Sequence, residues 1–362
     1  MLSSKLFVGV RLVPGGNSNL NVALSVKENK CIICTSAAEV EQQFHCDRVW
    51  GGLASQDDVF RSSLQKALPL FLQGTNVAAF CYGPPNSGKT HTAFGANHLD
   101  SALRGILPRA ITHILAHIHA EASRHPAAGE AARLSLTLLD VTADTVLDLL
   151  ARRMSEGDSG LTQTETFTGR LAEQRLTFAN IASERDAATA FNIAGMYDQS
   201  MPSTEKDSCT ARVAILSLST HSLAKATSCG VRHLYIVDLP SSRNLDENGR
   251  LRSGTGASAA SSRLQVGVCV RQQNDCDITH AHDWQVTMQT LMNLCNCINA
   301  SAHARTRHVP WRDSRLTRVL SDVFDGQHLI FLFAHTRYNA GQAHITYSAH
   351  YCWPYSRHRP RR

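Results

Sequence analysis

Phe80-Cys81-Tyr82-Gly83-Pro84-Pro85-Asn86-Ser87-Gly88-Lys89-Thr90-His91-Thr92 is the stretch on which the reading of the whole chain turns. Its middle, Gly83 to Thr90, fills every fixed position of the pattern G-x-x-x-x-G-K-[ST]. Asn76 to Tyr82 before it reads as a buried strand, and Lys89 opens a helical stretch after it. Strand, loop and helix in that order make a phosphate cradle. Backbone N–H groups face anionic oxygens, Lys89 reaches the β/γ-phosphates, and the Thr90 hydroxyl can ligate magnesium. Pro84 and Pro85 each withdraw an N–H donor from that cradle. A Gly/Pro turn that merely ends a strand is the bland alternative, and it leaves the register of Gly83, Gly88, Lys89 and Thr90 unexplained.

A phosphate loop commonly works with an acidic residue at the end of a second strand, which holds magnesium. Asp238 fits, closing the apolar run Leu234-Tyr235-Ile236-Val237. Further strands are expected at Leu6 to Val13, Leu134 to Val141, Val213 to Ser219, His233 to Leu239 and Leu329 to Ala334, with a hairpin at Val22 to Val26 and Cys31 to Cys34. Helical spacing is expected over Asp57 to Leu72, Leu103 to Ala122, Ala187 to Met196, Trp284 to Ala302 and Ser314 to Phe324, with an amphipathic segment near Gln342 to Tyr351. Pro240 to Asp283 lacks periodicity and reads as one long, mobile loop. Alternation of this kind points to an α/β fold with a central sheet and helices on both faces.

At 362 residues and 43% hydrophobic, the chain can bury a sizeable core. The surplus of +6 suits an acidic partner if it clusters on one face. Eleven cysteines show no repeating framework, and the lone Cys31-x-x-Cys34 has no second pair, so free thiols are expected rather than zinc or disulfides. Met1 to Val10 is too short and interrupted for a signal peptide, and no run of about eighteen apolar residues suggests a membrane span.

The same residues resemble a family. Phe80 to Thr92 is similar to the kinesin phosphate loop AYGQTGSGKTHT. Phe44-x-x-Asp47-Arg48-Val49 and Ser55-Gln56-Asp57-Asp58-Val59-Phe60 resemble segments before that loop, and Gly105-Ile106-Leu107-Pro108-Arg109 resembles GIIPR after it. Val237-Asp238-Leu239 is similar to the start of VDLAGSE, and His308 to Leu320 resembles HVPYRDSKLTRLL. The matches run from Lys5 to about Cys352, in the family's order. The resemblance implies a kinesin-type fold, an α/β P-loop NTPase with a mostly parallel central sheet flanked by helices. Residues 1–352 would form the motor domain and 353–362 a basic tail, with no coiled coil visible. It implies ATP and Mg2+ as ligands, with Arg11, Pro14 and His91 around the purine, Gly83, Pro84, Pro85, Asn86, Ser87, Gly88, Lys89 and Thr90 on the phosphates, and Thr90, Ser208 and Asp238 on the metal. It also implies a microtubule-associated location in the cytoplasm. Val13 stands where the family has a second Arg beside the base.

The sequence departs from the family at its switches. Thr204 to Ala211 aligns with NxxSSRSH, with Ser208 kept and Cys209 in place of Arg. Asp238-Leu239-Pro240-Ser241-Ser242-Arg243 replaces DLAGSE, losing Gly and Glu. In the family the lost Arg and Glu pair to close the switches and position the attacking water. Ser208, Asp238 and Ser241 remain as catalytic candidates, and hydrolysis is expected to be slow or absent. A rewired pair of reversed polarity, Asp207 with Arg243, is the competing possibility. Arg305, Arg307, His308, Arg312, Arg315 and Arg318 crowd the segment that resembles the tubulin-contacting loop and helix, and guanidinium groups suit an acidic filament. The preceding helix has Thr287-Met288-Gln289-Thr290-Leu291 where the family has INKSL. Three readings follow: an active motor, a nucleotide-holding pseudo-motor that binds microtubules without useful turnover, and an unrelated P-loop kinase or GTPase. The third leaves His308 to Leu320 unexplained.

Overall fold

The computed structural model describes residues 6–13, 23–27, 31–35, 41–84, 86–124, 132–152, 162–166, 175–196, 210–220, 230–241, 275–302, 309–325 and 327–337. The strands are β1 (Leu6–Val13), β2 (Ala23–Lys27), β3 (Cys31–Thr35), β4 (Glu41–His45), β5 (Arg48–Trp50), β6 (Val77–Tyr82), β7 (Ala132–Val141), β8 (Val146–Asp148), β9 (Thr162–Thr166), β10 (Arg175–Asn180), β11 (Ala211–Thr220), β12 (Gly230–Asp238) and β13 (Leu329–Arg337). The helices are α1 (Gln56–Ser62), α2 (Leu68–Leu72), α3 (Lys89–Ala93), α4 (Ile106–Arg124), α5 (Leu149–Arg152), α6 (Glu184–Ile193), α7 (Asp275–Ala302) and α8 (Arg315–Val319).

One sheet runs β5-β1-β13-β6-β12-β11-β7-β10-β9, with β8 added beside β7. The α/β class stands, and the sheet itself is mixed rather than mostly parallel. β5, β1, β13, β6 and β12 are mutually parallel, whereas every pairing from β12 outward through β11, β7, β10 and β9 is antiparallel. The reason is connection length: β11 and β12 are joined by residues 221–229, which is enough for a hairpin but too short for the crossover helix a parallel pair needs. Within the parallel half the carboxyl ends of β6, β12, β13 and β1 lie along one edge, with Asp238 opposite Cys81 and Val13 opposite Arg337. Ligands of open α/β sheets bind at such an edge.

Side-chain alternation divides the core into two layers. Val77, Ala79 and Cys81 of β6 pack on one face with Leu234, Ile236, Phe331 and Phe333, under α2, α4 and α6. Ala78, Phe80 and Tyr82 pack on the other with Tyr235, Val237 and Leu332, against Leu291, Leu294 and Ile298 of α7 and Leu316 and Val319 of α8. All six residues of β6 are buried, as a strand covered on both sides requires. At the sheet's far side Gly9 makes room for Trp50, whose ring atoms would lie 2.2 Å from a Cβ there.

Three sequence expectations change. Asp57 to Leu72 is not one helix but α1, a 3-10 turn at Leu64–Lys66, and α2. Ser63 takes a non-helical backbone (φ −125°, ψ −99°), the Ser62 and Ser63 hydroxyls donate back to Asp58 and Val59 carbonyls, and Pro69 enters at the start of α2. Such hydroxyl bonds and a missing N–H both interrupt the helical ladder. Within the stretch Pro240 to Asp283, read as loop, residues 242–274 lie outside the described residues, and α7 already begins at Asp275 and runs 28 residues. Neither Gly nor Pro occurs between Asp275 and Ala302, and propagating a helix costs less than starting a new one. Ser314 to Phe324 is α8 followed by a 3-10 turn at Ser321–Asp325. The β2–β3 hairpin is present and gains β4 as a third antiparallel strand. Gln342 to Tyr351 and the basic tail lie outside the described residues. Among the described residues no helix is long and apolar enough to cross a membrane.

Candidate functional site

β6 delivers the loop to the carboxyl edge of the sheet. At Gly83 (φ +153°) a Cβ would lie 2.4 Å from the carbonyl oxygen of His335 on β13, so only glycine passes between the two. Asn86 and Gly88 take φ of +55° and +85°. Ser87 Oγ donates to the Pro84 carbonyl at 2.7 Å and ties the loop across its base. α3 then starts at Lys89, Thr92 N bonding back to the Gly88 carbonyl.

The chemistry-bearing groups meet here. Buried Lys89 donates from Nζ to the carbonyls of Gly83 (3.0 Å) and Pro84 (2.8 Å) and to Ser241 Oγ (2.9 Å). Burial lowers its pKa to about 8, against the pull of the Asp238 carboxylate. Thr90, which faces solvent, donates from Oγ1 to Asp238 Oδ2 at 2.5 Å. The other carboxylate oxygen, Asp238 Oδ1, is buried without a hydrogen-bond partner. Burial raises the Asp238 pKa, an effect that Lys89 and the Thr90 hydroxyl oppose. An orphaned carboxylate oxygen beside an accessible hydroxyl is an all-oxygen donor set, which fits a hard divalent cation such as Mg2+. Leu239 N bonds to the Cys81 carbonyl at 3.0 Å, extending the β12–β6 pairing one residue and bringing Pro240 and Ser241 against the loop.

Behind the loop lies a polar network. Arg11 at the end of β1 donates from Nη1 to Gln56 Oε1 (2.6 Å) and Thr92 Oγ1 (2.8 Å), and from Nη2 to the Ala54 carbonyl (3.2 Å). Gln56 Nε2 donates to the His91 carbonyl. Buried His335 shares a hydrogen bond with Thr92 Oγ1 at 2.8 Å, and burial lowers its pKa to about 3. Burial and the nearby Arg11 likewise lower the pKa of His91. Arg11 therefore braces α1 and α3 with the contacts it makes here, while the half-buried His91 ring lies at the start of α3.

Of the site candidates, Arg11, Gly83, Pro84, Asn86, Ser87, Gly88, Lys89, Thr90, His91, Asp238 and Ser241 are described, with Lys89 bonded to Ser241 and Thr90 to Asp238. Pro14, Pro85 and Ser208 lie outside the described residues, as do Asp207, Cys209 and Arg243. Sequence reasoning missed the roles of Gln56, Thr92 and His335. It also missed Arg212, which grips Asp140 through two bonds of 2.7 and 2.9 Å and stands opposite Asp238 in the β11–β12 register. A polar residue closing an otherwise apolar strand, the signal that marked Asp238, also marks His335.

Across the sheet, on the α7 and α8 face, Arg312, Arg315 and Arg318 are exposed. Ser314 caps α8 in a reciprocal pair with Thr317, the Arg312 guanidinium sits 4.7 Å from the Trp311 ring centroid, and Arg318 Nε donates to the Arg312 carbonyl at 3.1 Å. Arg305, Arg307 and His308 lie outside the described residues.

The sequence model of the kinesin motor domain matches residues 16–280 and 270–351. The chain belongs to the kinesin motor domain family. Kinesin-like protein KIF22 of Danio rerio is 26% identical over 287 residues, which are 78% of this chain and 39% of that protein. Kinesin-like protein KIN-14H of Arabidopsis thaliana is 25% identical over 344 residues, 92% of this chain and 29% of that protein. The chain thus spans well under half the length of these relatives. Among solved structures, that of a fast kinesin aligns with a TM-score of 0.69 and 19% identity over 96% of this chain and 90% of that one. The motor domain of the Kar3-like kinesin from Ashbya gossypii gives 0.65 and 16% over 97% and 98%. At those identities the likeness is one of fold, and it agrees with the mixed sheet and its two helical layers.

Proposed function

We propose that this kinesin-family domain binds ATP with Mg2+ at Gly83 to Thr90 and binds microtubules through the face carrying Arg312, Arg315 and Arg318, with weak or absent hydrolysis. The observation that carries the proposal is the contact set of Lys89, Thr90, Asp238 and Ser241 at the sheet edge. In this reading Lys89 neutralises β/γ-phosphate charge, and the tight turn at Gly83 lets backbone approach the phosphates. Thr90 and Asp238, with Ser208, would hold the Mg2+ ion, which when bound screens the charge of the phosphate oxygens. Arg11 supports the purine side by bracing α1 and α3, with His91 and Pro14 bordering the base. The three arginines suit tubulin because forked guanidinium groups pair with carboxylates and speed encounter with an acidic surface.

Impaired turnover is supported by residue identity: Cys209 and Arg243 stand where the family pattern has Arg and Glu, and Pro240 stiffens the segment after Asp238. Phosphoryl transfer depends on positioning and electrostatics, so losing water placement lowers the rate by orders of magnitude. A pseudo-motor that holds nucleotide and grips microtubules is the limiting form of this reading. Steady-state ATP turnover with and without microtubules tests it, alongside co-sedimentation. We expect co-sedimentation with turnover well below one per second, and several turnovers per second would refute the impairment.

A further inference from the structure

An ammonium group has three protons to donate. For Lys89 all three acceptors are protein atoms: the Gly83 and Pro84 carbonyls and the Ser241 hydroxyl, at 3.0, 2.8 and 2.9 Å. A phosphate-loop lysine meets its β/γ-phosphate oxygens with those same protons. The two carbonyls belong to the loop itself, but Ser241 comes from beyond Asp238, the carboxylate-bearing end of β12. Its hydroxyl therefore reaches Nζ from the side where metal and terminal phosphate belong. Ser241 is 6% exposed, and its backbone is held close by the Leu239–Cys81 bond of 3.0 Å and by the fixed φ of Pro240. The family pattern DLAGSE has glycine at this position, which carries no hydroxyl.

We propose that the Ser241 hydroxyl stands in for a terminal phosphate oxygen, and that its bond to Lys89 makes Ser241 a specificity-determining residue that lowers the preference for triphosphate over diphosphate nucleotide. This rests on the nucleotide-binding reading above. A diphosphate approaches Nζ from the loop side and leaves the Ser241 bond in place. A triphosphate adds oxygens on the Ser241 side and has to displace it. Because Nζ is buried, a displaced hydroxyl gains little from water in exchange, so the competition is felt in affinity.

The test compares fluorescent ADP and ATP analogues, with Mg2+, binding to the wild-type chain, Ser241→Ala and Ser241→Thr. In parallel, Lys89 labelling by an amine-acylating reagent is followed by mass spectrometry without nucleotide. Ser241→Ala is expected to raise the ATP-over-ADP affinity ratio about tenfold, the scale of one hydrogen bond to a charged group. Ser241→Thr, which keeps the hydroxyl, should hold the wild-type ratio, and Lys89 labelling should rise in Ser241→Ala alone. An unchanged ratio in Ser241→Ala overturns the proposal whatever the labelling does. Raised labelling in Ser241→Ala, with nucleotide retained by none of the three proteins, overturns the nucleotide reading instead and leaves the Lys89–Ser241 bond a structural one.

Discussion

Lowering the pH should destabilise this domain through two deeply buried histidines. His335 sits beneath the phosphate loop between Lys89 and Arg11, and burial with those two cations lowers its pKa to about 3. His233 on β12 is lowered to about 4 by burial and by the neighbouring His328. Both folded-state values lie below the unfolded value near 6.5, so the unfolded chain takes up protons first as the pH falls. The associated stability is complete above about pH 6.5 and is lost as the pH drops from there toward 4 and 3. Each histidine then costs about 1.4 kcal/mol per pH unit, or roughly 2 kcal/mol apiece by about pH 5. A loss of about 4 kcal/mol is a large share of the 5–15 kcal/mol that holds a typical domain together. Urea denaturation at about pH 7.5 and pH 5 would measure it, and His335→Gln, which does not titrate, should remove the roughly 2 kcal/mol share of His335 from the acid-induced loss. The reasoning fails if His335→Gln and the wild-type chain lose the same free energy over that interval.

Gly83→Ala should be costly, because its Cβ would meet a backbone oxygen at 2.4 Å where φ is +153°. We expect about 2 kcal/mol of lost stability together with weakened nucleotide binding, read by urea denaturation and a fluorescent nucleotide. Replacing Arg312, Arg315 and Arg318 together by Ala should weaken microtubule co-sedimentation at least about tenfold at low salt, and raising the salt should shrink the difference. Cys209→Arg combined with Arg243→Glu restores the family's switch pair and should raise microtubule-stimulated turnover about tenfold or more, with neither single change sufficient.

The turn at Gly83 to Thr90 and its place between β6 and α3 were legible in the sequence because the pattern is written in contiguous residues. Gly83, Gly88, Lys89 and Thr90 must stand in fixed register, and Asp238 announces itself as a carboxylate closing an apolar strand. The strands buried on both faces were legible for a similar reason, since β6, β12 and β13 are near-continuous apolar runs. What is set by distant parts of the chain was not. β4, Glu-Gln-Gln-Phe-His, has no apolar run and becomes a strand only beside β3, and β9 and β10 are likewise defined by pairing. The break in Asp57 to Leu72 lay in local hydroxyl bonding and Pro69, which the apolar spacing conceals. The family resemblance singled out Arg11, but its bonds to Gln56 and Thr92 join residues 45 and 81 positions away. His335 joins Thr92 across 243. Such contacts exist only once β1 and β13 are neighbours.

Equilibrium binding of ATP in the presence of excess Mg2+, measured side by side for the wild-type chain and Lys89→Ala, tests the central claim most directly. Saturable binding by the wild-type chain that depends on Mg2+ and falls at least about a hundredfold in Lys89→Ala is the expected result. No retained nucleotide in the folded wild-type chain, or equal binding by the two proteins, would contradict it.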